Sequence, residues 1–131
     1  MADPLLGVIT TVADRPREGW DDPSRGAVSW HTLFSSDITP TEAMTAGIAE
    51  IPPGGGALQP HSHKEAEIYY LIEGRGMMWL NGAETEVGAG AAVFIPGGMP
   101  HGLRNHTDAA VKLFYVFPTG RFSDIVYHFD R

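Results

Sequence analysis

Turn-forming residues break this chain at short intervals, which leaves room for little regular structure except short strands. The breaks are Pro52-Pro53-Gly54-Gly55-Gly56, Glu73-Gly74-Arg75-Gly76, Asn81-Gly82, Pro96-Gly97-Gly98 and Pro118. Proline fixes φ and donates no hydrogen bond, and glycine enters the positive-φ turns that other residues avoid. Between the breaks lie runs that read as strands: Ala27 to Phe34, Met44 to Ile51, Glu67 to Ile72, Met77 to Leu80, Ala91 to Ile95 and Val111 to Phe117. Ile125 to Phe129 alternates more weakly and reads as a closing strand. Asn81-Gly82 is the strongest short hairpin signal a sequence carries. No segment sustains a 3.6-residue period. The expected fold is all-β, with roughly eight to eleven strands in a double-sheet jelly roll.

A length of 131 residues suits one domain. Residues 1–25 read as an N-terminal arm and loop, and 26–131 as the barrel. Within the arm, Leu5 to Ile9 is expected to form a short strand. Asp14 to Arg25, polar with two prolines, is expected to be loop. The hydrophobic fraction of 43% argues against disorder. The formal charge is −7, and Lys64 and Lys112 are the only lysines. Such a chain offers nucleic acid no basic face. There is no cysteine, so a metal would have to be held by His, Asp, Glu or water. Without a basic leader or a long apolar run, a membrane location is not expected, and the plain expectation is a soluble cytoplasmic protein.

His61 and His63 stand one residue apart. On a strand, such a pair points to one face, so the imidazoles converge. Glu67 follows after a short interruption, and His101 lies across the Asn81-Gly82 hairpin, which can return it to the first three. Imidazole and carboxylate suit divalent first-row metals, and this donor set alone does not choose among Fe, Mn, Ni, Zn and Cu. Three His and one Glu leave positions open for water or substrate, which favours catalysis over a structural role. His31, His106 and His128 lack such partners in the sequence and read as non-ligands. Alternation from Glu67 puts Tyr69 and Leu71 on its face and Ile68, Tyr70 and Ile72 on the other. Tyr69 is then a phenol beside the metal, either a base or a pocket-lining aromatic.

Two stretches carry a family resemblance. Gly55, His61, His63, Glu67 and Gly74 look like the first signature motif of the cupins. Gly90, Pro96, Gly98, His101 and Asn105 look like the second. The resemblance implies a double-stranded β-helix barrel with a metal in its mouth, and frequent homodimers; the outward Ile68, Tyr70 and Ile72 are compatible with dimerisation. Gly74 and Gly98 are expected at positive φ, and Asn105 is expected to tie down the loop after His101. The set His61, His63, Glu67, Tyr69 and His101 is also similar to the small cupin lyases that cleave dimethylsulfoniopropionate. Trp30, Gly47 to Ile51, Phe117-Pro118-Thr119, Arg121-Phe122-Ser123 and Tyr127 extend that similarity.

By that likeness Tyr69 removes the proton α to a substrate carboxylate, Tyr127 lies near the substrate, and the products are acrylate and dimethyl sulfide. Trp30, Trp79 or Tyr127 would hold a sulfonium by cation–π attraction. Met77, Met78 and Met99 are expected near the mouth, where they would reshape the pocket. The partner is then a small molecule, a carboxylate above all. Two other readings stand beside the lyase. One is a non-haem Fe(II) dioxygenase that cleaves a carbon–carbon bond. The other is a metal-containing module that binds a small acid or sugar without turning it over.

Overall fold

The computed structural model describes residues 7–129. Eleven strands follow one another: β1 Glu18–Asp22, β2 Gly26–Phe34, β3 Thr45–Ile51, β4 Ala57–Ser62, β5 Glu67–Glu73, β6 Arg75–Leu80, β7 Ala83–Gly88, β8 Ala92–Ile95, β9 His101–Arg104, β10 Val111–Phe117 and β11 His128–Phe129. Two single 3₁₀ turns, Val12–Asp14 and Phe122–Asp124, are the only helical pieces among the described residues. None of the helical pieces described is long and apolar enough to cross a membrane.

The strands form one curled, continuous sheet in the order β7-β6-β9-β4-β2-β3-β10-β5-β8, with β1 added to β2 and β11 to β4. It folds into two layers, β7-β6-β9-β4 and β2-β3-β10-β5-β8, joined where Gly26 and Ala27 pair with Leu58 and Ala57. This is the jelly-roll barrel the turn pattern requires. The core lies between the layers, and Leu71, Ile95, Val111, Ile51 and Phe117 are almost wholly buried there.

The alternation expected of β5 is observed. Glu67, Tyr69 and Leu71 are buried, while Ile68, Tyr70 and Ile72 are exposed. Gly74 and Gly98 have φ of 82° and 81°, as their turns demand. Asn105 is buried, and its Nδ2 donates to the carbonyls of Ile51 and Ala109. Its Oδ1 accepts from the backbone N–H and hydroxyl of Thr107. One side chain therefore closes the loop between β9 and β10.

Two expectations about local structure need correction. Asp14 to Arg25 is not all loop, because Glu18–Asp22 pairs antiparallel with β2 from Trp30 to Gly26. The strand is polar because it lies at the edge of the barrel, where only Trp20 turns toward the core. At the other end, Ile125 to Phe129 is strand only at His128–Phe129. Of the strand expected over Leu5 to Ile9, Leu5 and Leu6 lie outside the described residues, and Gly7 to Ile9 form no regular element.

Candidate metal centre

His61 and His101 meet because β4 and β9 are paired with these two residues directly opposite one another. Opposed side chains on an antiparallel pair share a face, and the two ring centroids are 4.2 Å apart. A bulge between Leu58 and His61 sets that register. His63 sits just beyond β4, with its ring 5.0 Å from His101 and 5.7 Å from His61. Potential ligand atoms of all three lie within 4.8 Å of one another, and all three side chains are buried. Glu67, the first residue of β5, reaches the group from the other layer. Its Oε1 is 3.2 Å from His63 Nε2 and 3.4 Å from His101 Nε2. The structure thus brings together all four residues that the sequence singled out.

The ring nitrogens have defined roles. His61 Nδ1 donates to the Gln59 carbonyl at 2.8 Å, His63 Nδ1 to that of Glu65 at 2.9 Å, and His101 Nδ1 to that of Met99 at 2.8 Å. A carbonyl only accepts, so each Nδ1 carries hydrogen and each neutral ring presents a bare Nε2. His61 Nε2 and His101 Nε2 are buried with no hydrogen-bond partner. Two buried lone pairs without donors, beside a carboxylate, fit a divalent cation. Backbone carbonyls behind the rings supply the outer support such sites use.

Electrostatics sort the three rings. Burial, reinforced by the neighbouring His101, holds His61 down at about 3, so it stays neutral. Burial acts the same way on His63, but the Glu67 hydrogen bond and charge outweigh it and raise this group above its ordinary value. Glu67 Oε1, 3.2 Å from His63 Nε2, is placed to share any proton held there.

A small, mostly apolar cavity opens beside Glu67; Tyr69, Trp20, Trp30, Tyr115 and Tyr127 are among its other walls. Tyr69 is 3% exposed, with its ring 6.2 Å from that of His101. Burial first, and the Glu67 charge second, push its phenol well above the ordinary value. Tyr127 packs 5.2 Å from the His61 ring and 5.4 Å from that of His63. Burial raises its phenol too. The tail that carries it is pinned by β11, whose Phe129 pairs with His61.

Of the aromatics expected at the pocket, Trp30 lines it and Trp79 does not. Trp79 and Met77 lie on the outer face of β6, in a separate groove with Glu84 and Arg104. Met78 is core, and Met99 packs against that core while its carbonyl holds His101. Trp20 was not anticipated. It stands edge-on to Trp30 at 4.8 Å and to Tyr127 at 5.3 Å. The lone tryptophan in an otherwise polar segment was the one available signal. His31 bonds the Arg15 carbonyl, His106 pairs with Glu86 and His128 is exposed, so none of them joins the cluster.

Residues 47–117 match the family model described as the Cupin domain. The chain is a cupin. Over 114 residues this cupin is 36% identical to the dimethylsulfoniopropionate lyase DddW of Ruegeria pomeroyi, covering 87% of this chain and 74% of that one. It is 30% identical over 82 residues to an oxalate-binding protein of Thermotoga maritima, covering 62% of this chain and 67% of that one. The polyketide cyclase RemF of Streptomyces resistomycificus superposes with a TM-score of 0.79 over 96% of this chain and 87% of its own, at 23% identity. That last likeness is one of fold.

Proposed function

We propose that this cupin is a metal-dependent lyase acting on a small carboxylate, with His61, His63, Glu67 and His101 as ligands and Tyr69 as base. The observation that carries the reading is the position of Tyr69. It is buried two residues along β5 from Glu67, and both residues line the same cavity. The likeness to the dimethylsulfoniopropionate lyase supports the same reaction class. A divalent ion held there supplies a Lewis acid for the substrate carboxylate and a positive charge that favours phenolate nearby. Tyr69 Oη takes the α-proton, the C–H pair forms the double bond to the β carbon, and the leaving group departs with its own pair. Tyr127 and Trp20 wall the cavity with apolar surface. The variant Tyr69→Phe, assayed without oxygen, is the test. Expected are turnover under anaerobiosis in the parent, and in the variant a loss of about 10²–10⁴-fold with metal retained. An unchanged rate removes Tyr69 as base, and a strict need for oxygen replaces the lyase with a dioxygenase. The oxalate-binding relative favours one second reading, capture of a small acid with no product. Saturable binding without turnover would establish it.

The protein acts as a homodimer in this proposal, with Ile68, Tyr70, Ile72 and Phe94 at the contact. They are 43%, 48%, 41% and 64% exposed, and Ile68 pairs directly with Phe94 across β5 and β8. A contiguous apolar patch on a sheet face is the kind of surface two copies bury against each other.

A further inference from the structure

The tripeptide Arg121-Phe122-Ser123 fastens the C-terminal tail to the loop between β2 and β3. Its middle residue points inward. Phe122 lines the cavity, with its ring 6.0 Å from Trp30 and 6.4 Å from Tyr127. The outer two grip one carboxylate. Arg121 Nε donates to Asp37 Oδ1 at 3.1 Å. Ser123 donates to Asp37 twice, from its hydroxyl at 3.1 Å and from its backbone N–H at 3.2 Å. The buried Ser35 completes the joint, since its hydroxyl donates to Asp37 Oδ2 and accepts the Phe122 N–H at 3.0 Å. Just upstream, the Ser36 N–H donates to the Gly120 carbonyl and the Thr45 hydroxyl to that of Thr119.

Four residues beyond this joint, the same tail carries Tyr127 onto the metal centre. Tyr127 lines the cavity and also packs 5.2 Å from the His61 ring and 5.4 Å from that of His63. The three imidazoles are almost wholly buried, and none of them is a cavity wall. Tyr127 is thus a wall that the cavity shares with two of the rings. The strands packed around the imidazoles, β4, β5, β9 and β10, each have strand neighbours on both sides. The tail has only the two-residue pairing of β11 with β4. Local opening favours the segment with the fewest ladder bonds to lose, so the tail is the part that yields first.

We propose that the tail, residues 118–129, is the gate through which a divalent ion reaches and leaves the histidines, and that Asp37 is the latch that holds it shut. This rests on the reading that His61, His63, Glu67 and His101 hold a metal, and it is independent of the reaction assigned to that metal. Asp37 touches neither ion nor substrate in this role and acts by positioning the tail.

Stopped-flow uptake and release of zinc, followed with a chromophoric chelator, tests it. A weaker latch raises the open population, so entry and exit accelerate together and their ratio, Kd, holds. In Asp37→Ala both rates should rise about ten-fold, the equivalent of one or two hydrogen bonds lost. Arg121 is exposed, so Arg121→Gln keeps the fold and should raise both rates about two- to three-fold. Val111→Ala is the control. It hollows the core at the end of β10 away from Phe117, which packs on His63, and should leave both rates unchanged. Unchanged rates in both latch variants would overturn the gate. So would a faster release matched by an equal rise in Kd, which would mean that Asp37 shapes the site, or an equal acceleration in Val111→Ala, which would mean general loosening. If Asp37→Ala does not fold, Arg121→Gln decides alone. A parent that takes up no zinc would end the metal reading and this proposal with it, whereas a parent that binds zinc through an unlatched route ends the proposal only.

Discussion

His61 and His101 face each other across β4 and β9, rings 4.2 Å apart, each with a buried Nε2 that no hydrogen reaches. Two lone pairs confined this way repel unless a cation lies between them. Removing metal with a chelator should therefore lower the melting temperature, and Zn²⁺ or Mn²⁺ should restore it. At a thousandfold excess over Kd the gain is about 4 kcal/mol. In His101→Ala the metal-dependent rise in a thermal melt should vanish.

The rings respond to acid with opposite signs. His61 stays neutral in the folded, metal-free protein down to about 3, whereas in the unfolded chain it takes up a proton near 6.5. Its contribution to stability therefore falls as pH drops below 6.5. His63 has a raised value, so it adds stability that is complete below 6.5 and lost as pH climbs through its folded value. In urea melts of the metal-free protein between pH 5 and 8, His61→Gln should reduce the loss on acidification. His63→Gln should enlarge it.

Metal loading should release more protons the lower the pH, because the ion replaces any hydrogen shared between His63 Nε2 and Glu67. Calorimetry in buffers of different ionisation enthalpy measures that release directly. In Glu67→Gln the carboxylate charge that holds His63 up is gone, and the release should shrink along with metal affinity.

Asn105 makes four hydrogen bonds across the β9–β10 loop. Asn105→Ala removes these bonds and leaves buried polar groups short of a partner, which should cost about 1–3 kcal/mol. Denaturant melts check the loss, and the metal content of the folded fraction should be unchanged.

Lysine at two positions tests the paired surface. Ile68→Lys with Phe94→Lys places charge on adjacent partners of β5 and β8. The double variant should sediment as a monomer with its metal bound, while the parent sediments as a dimer.

Much of this molecule is legible in its sequence. The run Val111 to Phe117 has the bounds of β10, and Asn81-Gly82 is the β6–β7 turn. His61, His63, Glu67 and His101 converge as their spacing implies. Two kinds of residue escaped. Trp20 sits on an edge strand whose other side chains face water, so no apolar alternation announces it. Met77 and Trp79 occupy a strand that is apolar on both faces, Met78 and Leu80 inside and the other two outside. Where both faces are apolar, a period of two carries no information about which one looks inward. Tyr115 was hidden for a similar reason, being one aromatic within the nearly unbroken apolar run of β10.

Gln59, Glu65 and Met99 hold the three imidazoles with main-chain oxygens. Every residue type has such an oxygen, so mutation at these positions leaves the orientation of the rings intact provided the backbone path is kept. The centre's ring orientation is thus encoded in the backbone path, and the side chains at these three positions are left to answer to their own surroundings.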